Sequence, residues 1–237
     1  MSNQLESDDP APKARQAIPA LDMARAEAFI RANTRLLNPP LTPEIRLHLA
    51  EESLPIWQKT EDELGEMNVP PPFWAFAWAG GQAVARYILD TPDVAAGRSA
   101  LDLGAGSGIG AIAAKLSGAS DALAADIDRF AVVAASLNAA ANGVALRITR
   151  DDLLLAPPPE AGLVVVADMF YEKDMAEQVL EFCVASARQG AVVLVGDPQR
   201  NYFPRDRFHE VASYSVPVTR ELEDSEIKRT AVWRLTD

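Results

Sequence analysis

Short apolar runs alternate with longer mixed segments through the middle of the chain. The runs at 100–103, 122–125 and 162–167 are mostly apolar, and each is followed at once by glycine or aspartate. Between them, residues 109–116 and 127–142 carry apolar side chains at helical spacing. Continuous apolar runs are typical of parallel strands that are covered on both faces. The pattern therefore predicts an α/β fold with a mainly parallel sheet.

The pattern changes in the last fifth of the chain. Residues 191–195 predict one more buried strand, and residues 203–210 are expected to open a helix. Residues 211–220 and 228–235 contain the β-branched and aromatic residues that are typical of strands. Because their connection at 221–227 is short and acidic, the two strands are expected to form a hairpin.

The N-terminal part predicts an extension to this core. Residues 1–19 are polar and rich in proline and alanine, so we expect a disordered leader. A helix is expected over 21–37, and a second helix is expected to begin with Thr42 as its N-cap and Pro43 at its first position. Residues 51–68 are acidic and show no clear pattern, so their structure stays open. The chain then divides into three parts: the leader at 1–19, a helical extension at 20–90 and a core at 91–237.

A glycine-rich turn follows the first strand of the core. Gly104, Gly106 and Gly108 come directly after the acid Asp102, and their missing side chains let a ligand lie against backbone amides. The turn can be matched to the dinucleotide fingerprint, with Asp126 near the position of the ribose acid. However, Asp102 would repel a pyrophosphate and attract a cation. The local charge therefore suits S-adenosylmethionine better, since that cofactor carries a sulfonium and an amino group.

These residues carry a family resemblance. Asp102-Leu-Gly104-Ala-Gly106-Ser-Gly108, followed by Asp126-Ile-Asp128, resembles the cofactor site of the seven-stranded S-adenosylmethionine-dependent methyltransferases. Three further segments resemble the lysine methyltransferases of the electron transfer flavoprotein β subunit: 71–82, 168–171 and 196–198. The resemblance runs from about Ala26 to Leu235. It implies a Rossmann-like seven-stranded sheet, mostly parallel with an antiparallel end, with helices on both faces and an N-terminal helical extension.

The resemblance also implies which residues bind the cofactor. The segment at 71–82 is rich in aromatic residues, and we call it the aromatic segment. In the family, this segment lies over the cofactor and forms the substrate entry. Without the resemblance, such a cluster of aromatic residues would be taken as part of the core. Asp126 is expected to hold the ribose hydroxyls, because one carboxylate accepts from two adjacent donors. Asp128 is expected to cap the next helix. Asp152 is expected to accept from the adenine amino group, although its neighbour Asp151 is almost as good a candidate. The predicted cofactor-binding residues are Trp74, Trp78, Gly81, Asp102, Gly104, Gly106, Gly108, Asp126 and Asp152.

Asp168 and Tyr171 are the predicted catalytic residues. Taken alone, Asp168 could equally cap the helix expected at 172–187, but its place after a central strand and its match to the family's Asp-x-x-Tyr pattern favour catalysis. A carboxylate is too weak a base to deprotonate a lysine at neutral pH. Asp168 is therefore expected to stabilise positive charge on the acceptor nitrogen, and Tyr171 to orient the amine. The aromatic segment is expected to exclude water and to contact methylated ammonium groups through cation–π interactions.

Composition narrows the class of partner. The net charge is −12 over 237 residues, which argues against a nucleic-acid backbone and suits a basic protein partner, although solubility is an equally ordinary reason. A single cysteine, Cys183, excludes an internal disulfide and is expected in the core, and with only two histidines we expect no metal site. The sequence has no membrane-span pattern and no signal-peptide pattern, so we expect a cytoplasmic protein. We also expect it to be a monomer.

The resemblance implies a protein-lysine N-methyltransferase whose substrate is the β subunit of electron transfer flavoprotein. Three alternatives remain at this point. A methyltransferase of another protein, such as a ribosomal protein, would share the cofactor motifs. A non-catalytic cofactor-binding module would share the fold, and a nicotinamide dehydrogenase would share the glycine turn.

Overall fold

The computed structural model describes residues 20–51, 55–56, 58–60, 71–218 and 227–236. The predicted leader at 1–19 lies outside the described residues, as do most of 51–68 and nearly all of the connection at 221–227.

Nine strands and five α-helices are described outside the short 55–60 segment. The strands are β1 (Arg35–Leu37), β2 (Leu47–Leu49), β3 (Ser99–Leu103), β4 (Asp121–Ala125), β5 (Arg147–Thr149), β6 (Leu163–Ala167), β7 (Val192–Asp197), β8 (Phe208–Pro217) and β9 (Ile227–Leu235). The helices are α1 (Ala20–Asn33), α2 (Ala79–Asp90), α3 (Ile109–Leu116), α4 (Arg129–Ala141) and α5 (Lys173–Arg188). The predicted core strands all form, and so do the predicted core helices except the one expected at 203–210, with bounds that differ by a few residues at most.

Seven of the strands form one sheet in the order β5-β4-β3-β6-β7-β9-β8. The first five are parallel, and β9 runs antiparallel to both β7 and β8. The predicted seven-stranded sheet, mostly parallel with an antiparallel end, is therefore confirmed. The strand order reverses between β3 and β6, which is where ligands bind in open α/β sheets.

Alternation along β6 shows why both faces of the sheet are covered. Leu163 and Val165 lie in a core cluster with α2 and α3, whereas Val164 and Val166 lie in a second cluster with α5. All four are buried, and each such side chain contributes about 1.5–3 kcal/mol to folding. Cys183 of α5 is buried in the second cluster, as the sequence predicted.

The predicted second N-terminal helix is wrong. α1 ends at Asn33, and the following residues form β1, which pairs antiparallel with β2. The Asn38 side chain donates to the carbonyls of Pro43 and Ile45, and this holds a turn where Thr42 was expected to cap a helix. The extended conformation after the turn buries Leu47 and Leu49.

The helix expected at 203–210 is also wrong. The segment contains one 3-10 turn at Arg205–Arg207 and then enters β8. Phe203 and Phe208 pack against each other with ring centroids 5.3 Å apart, and Phe203 lies 5.0 Å from the ring of Trp233. This aromatic packing against β9 is a long-range contact, and it outweighs the weak local helix signal.

Candidate active site

A cavity of about 880 Å³ opens at the carboxyl ends of β3, β4 and β6. It brings together ten of the eleven predicted site residues, together with the alternative acid Asp151. Gly108 is the exception, since it is absent from the lining and packs against α4. The ten are Trp74, Trp78, Gly81, Asp102, Gly104, Gly106, Asp126, Asp152, Asp168 and Tyr171.

The glycine turn carries the chain from β3 into α3 along the cavity wall. Gly104 has a φ of 63°, and a Cβ built on it would lie 2.5 Å from the sulfur of Met169, so this position requires glycine on two grounds. Gly108, in a left-handed conformation, is the N-cap residue of α3. The turn thereby aims the N-terminus of an α-helix at the cavity.

Asp102 lies at the inner end of this wall. Its carboxylate accepts a hydrogen bond of 2.8 Å from the backbone amide of Ala111 in the first turn of α3. Burial raises the pKa of Asp102 to about 7, and the nearby charge of Asp126 acts in the same direction. A cation in the cavity would favour the ionised form, so Asp102 suits a positively charged ligand.

Asp126 follows β4 and is held by two backbone amides. Its Oδ2 accepts from Gly106 at 2.8 Å and its Oδ1 accepts from Asp128 at 2.9 Å. Burial raises the pKa of Asp126 above its ordinary value. The neighbouring Asp128 accepts a hydrogen bond of 2.8 Å from Phe130 and is the N-cap of α4, so its predicted capping role is confirmed.

The two candidate acids after β5 both line the cavity. Asp151 accepts a hydrogen bond of 2.8 Å from the hydroxyl of Thr149, whereas Asp152 accepts one of 3.1 Å from the backbone amide of Leu154. Both carboxylates are exposed and each retains acceptor capacity. The choice of Asp152 over Asp151 for the adenine amino group stays a prediction.

The aromatic segment before α2 closes one side of the cavity. The indole of Trp74 is buried and stacks on Phe130, with centroids 5.9 Å apart, so much of its side chain belongs to the core. The indole N–H of Trp78 donates to the carbonyl of Phe73 at 2.9 Å. The ring of Phe73 lies 5.9 Å from that of Tyr171, which joins the segment to the end of β6.

Asp168 follows β6 directly and does not cap a helix, because α5 begins at Lys173 after the N-cap Glu172. Its backbone is left-handed, with a φ of 58°. One carboxylate oxygen accepts from the backbone amide of Gly81 at 2.9 Å. The other accepts from the guanidinium of Arg200, at 2.6 Å from one terminal nitrogen and 3.1 Å from Nε.

Arg200 is a site residue that the sequence analysis missed, and it is tied to Asp197 of the family-like segment 196–198. Arg200 lies in the loop after β7, and its backbone amide donates to Asp197 at 2.7 Å. Burial raises the pKa of Asp197 to about 7. The signal that points to Arg200 is topological: β6 and β7 are parallel neighbours, so the residues after both strands meet at one edge of the sheet.

The cavity fits S-adenosylmethionine. Its volume is in the range of small-molecule sites, which is roughly 300–1,000 Å³. The glycine turn offers backbone close to the ligand, and carboxylates lie at the carboxyl ends of β3, β4 and β6, where a cationic ligand needs them. Within the described ranges there is no group of residues able to hold a metal ion, and no helix is long and apolar enough to cross a membrane.

Comparisons with known proteins decide the family. A model of the ribosomal protein L11 methyltransferase family matches residues 84–193. The electron transfer flavoprotein β subunit lysine methyltransferase of Danio rerio is 39% identical over 215 residues, which cover 87% of this chain and 81% of that protein. The human protein of the same name is 39% identical over 216 residues, covering 87% and 80%. The chain belongs to this lysine methyltransferase family. It is therefore an enzyme of the methyltransferase class, with S-adenosylmethionine as its cofactor.

A solved structure agrees with the fold of this lysine methyltransferase. A Pyrococcus horikoshii protein assigned as an RNA methyltransferase superposes with a TM-score of 0.50 at 16% identity, covering 66% of this chain and 82% of that one. At this identity the likeness concerns the fold alone. It agrees with the seven-stranded sheet described above.

Proposed function

We propose that this lysine methyltransferase transfers methyl groups from S-adenosylmethionine to lysine side chains of the electron transfer flavoprotein β subunit. The relatives that share about four fifths of their length with this chain carry that substrate in their names. The observation that carries the proposal is the placement of Asp168 and Tyr171 on the cavity wall, beside the aromatic ring of Phe73. This arrangement gives an amine a carboxylate, a hydroxyl and an aromatic face.

The cofactor would be held by the residues at the ends of β3, β4 and β5. Asp102 would face its cationic portion, the backbone of the glycine turn would lie along the ligand, Asp126 would accept from its ribose hydroxyls, and Asp152 or Asp151 would accept from its adenine amino group. When bound there, it supplies a methyl group on a positively charged sulfur.

Asp168 acts on the acceptor nitrogen. A lysine amine attacks through its lone pair, so it must arrive neutral, and positive charge develops on nitrogen as the new N–C bond forms and the C–S bond breaks. The Asp168 carboxylate, about 10% exposed, stabilises that charge more strongly than water would. The extra proton on the methylated nitrogen is released to solvent.

Tyr171 and the aromatic segment position the amine and exclude water. Burial raises the pKa of Tyr171 above its ordinary value, so its hydroxyl stays protonated at neutral pH and can hydrogen-bond the amine. The ring of Phe73 lies beside Tyr171, with Trp78 next to Phe73, and aromatic faces attract an ammonium group through cation–π interactions. The net charge of −12 favours encounter with a basic substrate segment. The monomeric state, the cytoplasmic location and the absence of nucleic-acid partners stay predictions.

The test is the intact mass of purified electron transfer flavoprotein after incubation with the enzyme and S-adenosylmethionine. We expect methyl-sized increments on the β subunit with the wild-type enzyme and none with Asp168→Ala. Asp93→Ala is the matched control, because Asp93 is an exposed acid in a 3-10 turn next to the opposite end of β3. An unmodified β subunit, with cofactor binding demonstrated, would contradict the proposed substrate.

A ribosomal protein is the second candidate substrate, and the match to the L11 methyltransferase model favours it. That match ends at residue 193 and begins at residue 84, so it leaves out the aromatic segment and Arg200. Running the same mass assay on ribosomal protein L11 separates the two substrates.

A further inference from the structure

Arg200 is a cation in the candidate site that is held through both its side chain and its backbone. Its guanidinium contacts Asp168 through two nitrogens, and its central carbon lies 5.6 Å from the ring centroid of Trp78. Its backbone amide is tied to the buried carboxylate of Asp197. The Arg200 side chain is about 18% exposed and lines the same cavity as Asp168. The backbone and the guanidinium of Arg200 are therefore both held in place on the wall of the cavity, beside Asp168.

The contacts of Arg200 complete the positioning of Asp168. The left-handed backbone of Asp168 is an uncommon conformation for a residue other than glycine, so the surrounding contacts must hold it. One carboxylate oxygen is fixed by the Gly81 amide and the other by the guanidinium. Without Arg200, the carboxylate would lose its two contacts with the guanidinium and gain rotational freedom.

Arg200 also balances charge. Asp168 and Asp197 lie close enough that the charge of Asp168 raises the pKa of Asp197, whereas the charge of Arg200 lowers it. The guanidinium therefore offsets the electrostatic repulsion between these two carboxylates at one edge of the sheet. It also limits the negative charge that an incoming lysine meets, which favours the neutral amine over the ammonium form.

We propose that Arg200 is a positioning residue for methyl transfer and that it acts through Asp168. The inference rests on the proposed function, because it takes the Asp168 carboxylate as the group that stabilises the acceptor nitrogen. Arg200, whose guanidinium lies over the Trp78 ring, holds that carboxylate from one side while the Gly81 amide holds it from the other.

A double-mutant cycle tests this role. Arg200→Gln, Asp168→Asn and the double variant are compared with wild type for kcat and KM, with melting temperature and cofactor affinity measured on each. We expect Arg200→Gln to lower kcat by about 100-fold with little change in the KM for cofactor, because a small misplacement of a catalytic group costs roughly that much. The double variant should then be no slower than Asp168→Asn, within about threefold.

Two further variants separate positioning from general damage. Arg200→Lys keeps the charge but not the two-nitrogen contact, so it should recover part of kcat. Arg205→Gln is the matched control, since Arg205 lies in the same loop but its guanidinium is over Trp233, 5.7 Å from the ring. It should leave kcat unchanged.

Two results would overturn the inference. One is a loss of kcat in the double variant that equals the product of the two single losses, and the other is an Arg200→Gln variant whose kcat equals that of the wild type. Failure of the proposed function is recognised separately. If the wild-type enzyme leaves the flavoprotein unmodified but labels another protein in an extract supplied with radiolabelled S-adenosylmethionine, the substrate is wrong. The cycle is then measured on that acceptor, where the same two results decide the role of Arg200.

Discussion

The backbones of Gly80 and Gly196 lie directly against each other, and the carbonyl oxygen of each occupies the place that a Cβ on the other would need. This contact joins the first turn of α2 to β7. A Cβ on Gly80 would also lie 2.6 Å from a carboxylate oxygen of Asp168. The close approach therefore brings α2 to the carboxylate of Asp168.

We expect Gly80→Ala and Gly196→Ala each to lower the free energy of unfolding by about 2–3 kcal/mol, because backbone atoms cannot move aside as side chains do. Urea denaturation of the purified variants measures this. Gly190→Ala is the control: its φ is 93° and a Cβ there would meet no atom within 4 Å, so only backbone strain of about 1 kcal/mol applies. Equal losses at all three positions would show that the close approach does not matter.

The affinity for S-adenosylmethionine should rise with pH through about 7. The pKa of Asp102 is raised to about 7 in the free protein, and a bound cation favours the ionised form, so binding is stronger where the carboxyl is already ionised. Titration calorimetry at about pH 6 and about pH 8 should show an affinity difference of up to roughly tenfold per pH unit below the pKa.

Asp102→Asn should flatten that pH dependence and weaken binding at the higher pH. Asp121→Asn serves as the control, because Asp121 is at the opposite end of β4 and pairs with Arg147 outside the cavity. A wild-type pH profile in Asp102→Asn would show that the buried carboxyl does not contact the cationic ligand.

Asp128→Ala should lower the free energy of unfolding by about 1 kcal/mol, because the amide of Phe130 loses its capping acceptor. Asp128→Asn keeps an acceptor oxygen and should cost much less. Chemical denaturation at neutral pH compares the two. If both variants lose the same stability, the charge of Asp128 rather than its capping bond is what α4 requires.

The free protein should lose stability as pH rises from about 4 to about 7. The pKa of Asp197 is raised in the folded state from 3.8 to about 7, so the folded protein binds the proton more tightly than the unfolded chain does. The resulting contribution is fully present below about pH 4 and is lost as pH rises through about 7, with a slope of up to about 1.4 kcal/mol per pH unit.

Asp197→Asn should reduce this slope, since the amide does not titrate. Urea midpoints across the same pH range measure it, and Asp93→Asn, at an exposed position, should retain the wild-type slope. Asp102 and Asp128 titrate in the same direction, so part of the slope remains in the variant. If the slope is unchanged in Asp197→Asn, the pH dependence of the stability comes from other groups.

The sequence was a reliable guide where local pattern and burial agree. Residues 109–116 form a helix with the predicted bounds, and the acids at Asp102, Asp126 and Asp168 meet in one cavity because parallel strands end at one edge. The hairpin of β1 and β2 was missed although residues 45–49 alternate apolar and polar side chains, which is the period of a strand. The turn signal at Thr42 and Pro43 suits a helix start and a tight turn alike.

The partners of Asp168 could not be deduced from spacing. Its contacts with Gly81 and Arg200 are long-range, separated by 87 and 32 positions along the chain. Local patterns carry no information about which loops fold together, and Arg200 is one cation in a polar stretch. The resemblance predicts that Asp168 is catalytic, but the groups that contact its carboxylate became visible only when β6 and β7 were seen side by side.

Because β9 lies between β7 and β8, the sheet of a newly synthesised chain cannot be completed until β9 has been made. β7 pairs with β6 on one side, but its partner on the other side, β9, begins 30 residues after β7 ends, at 227 against 197. Until β9 leaves the ribosome, that edge of β7 stays open and the Asp197 carbonyl lacks the indole N–H of Trp233. An open strand edge is a template for aggregation. Variants that weaken β9 should therefore reduce the yield of folded enzyme in translation before they alter its kinetics.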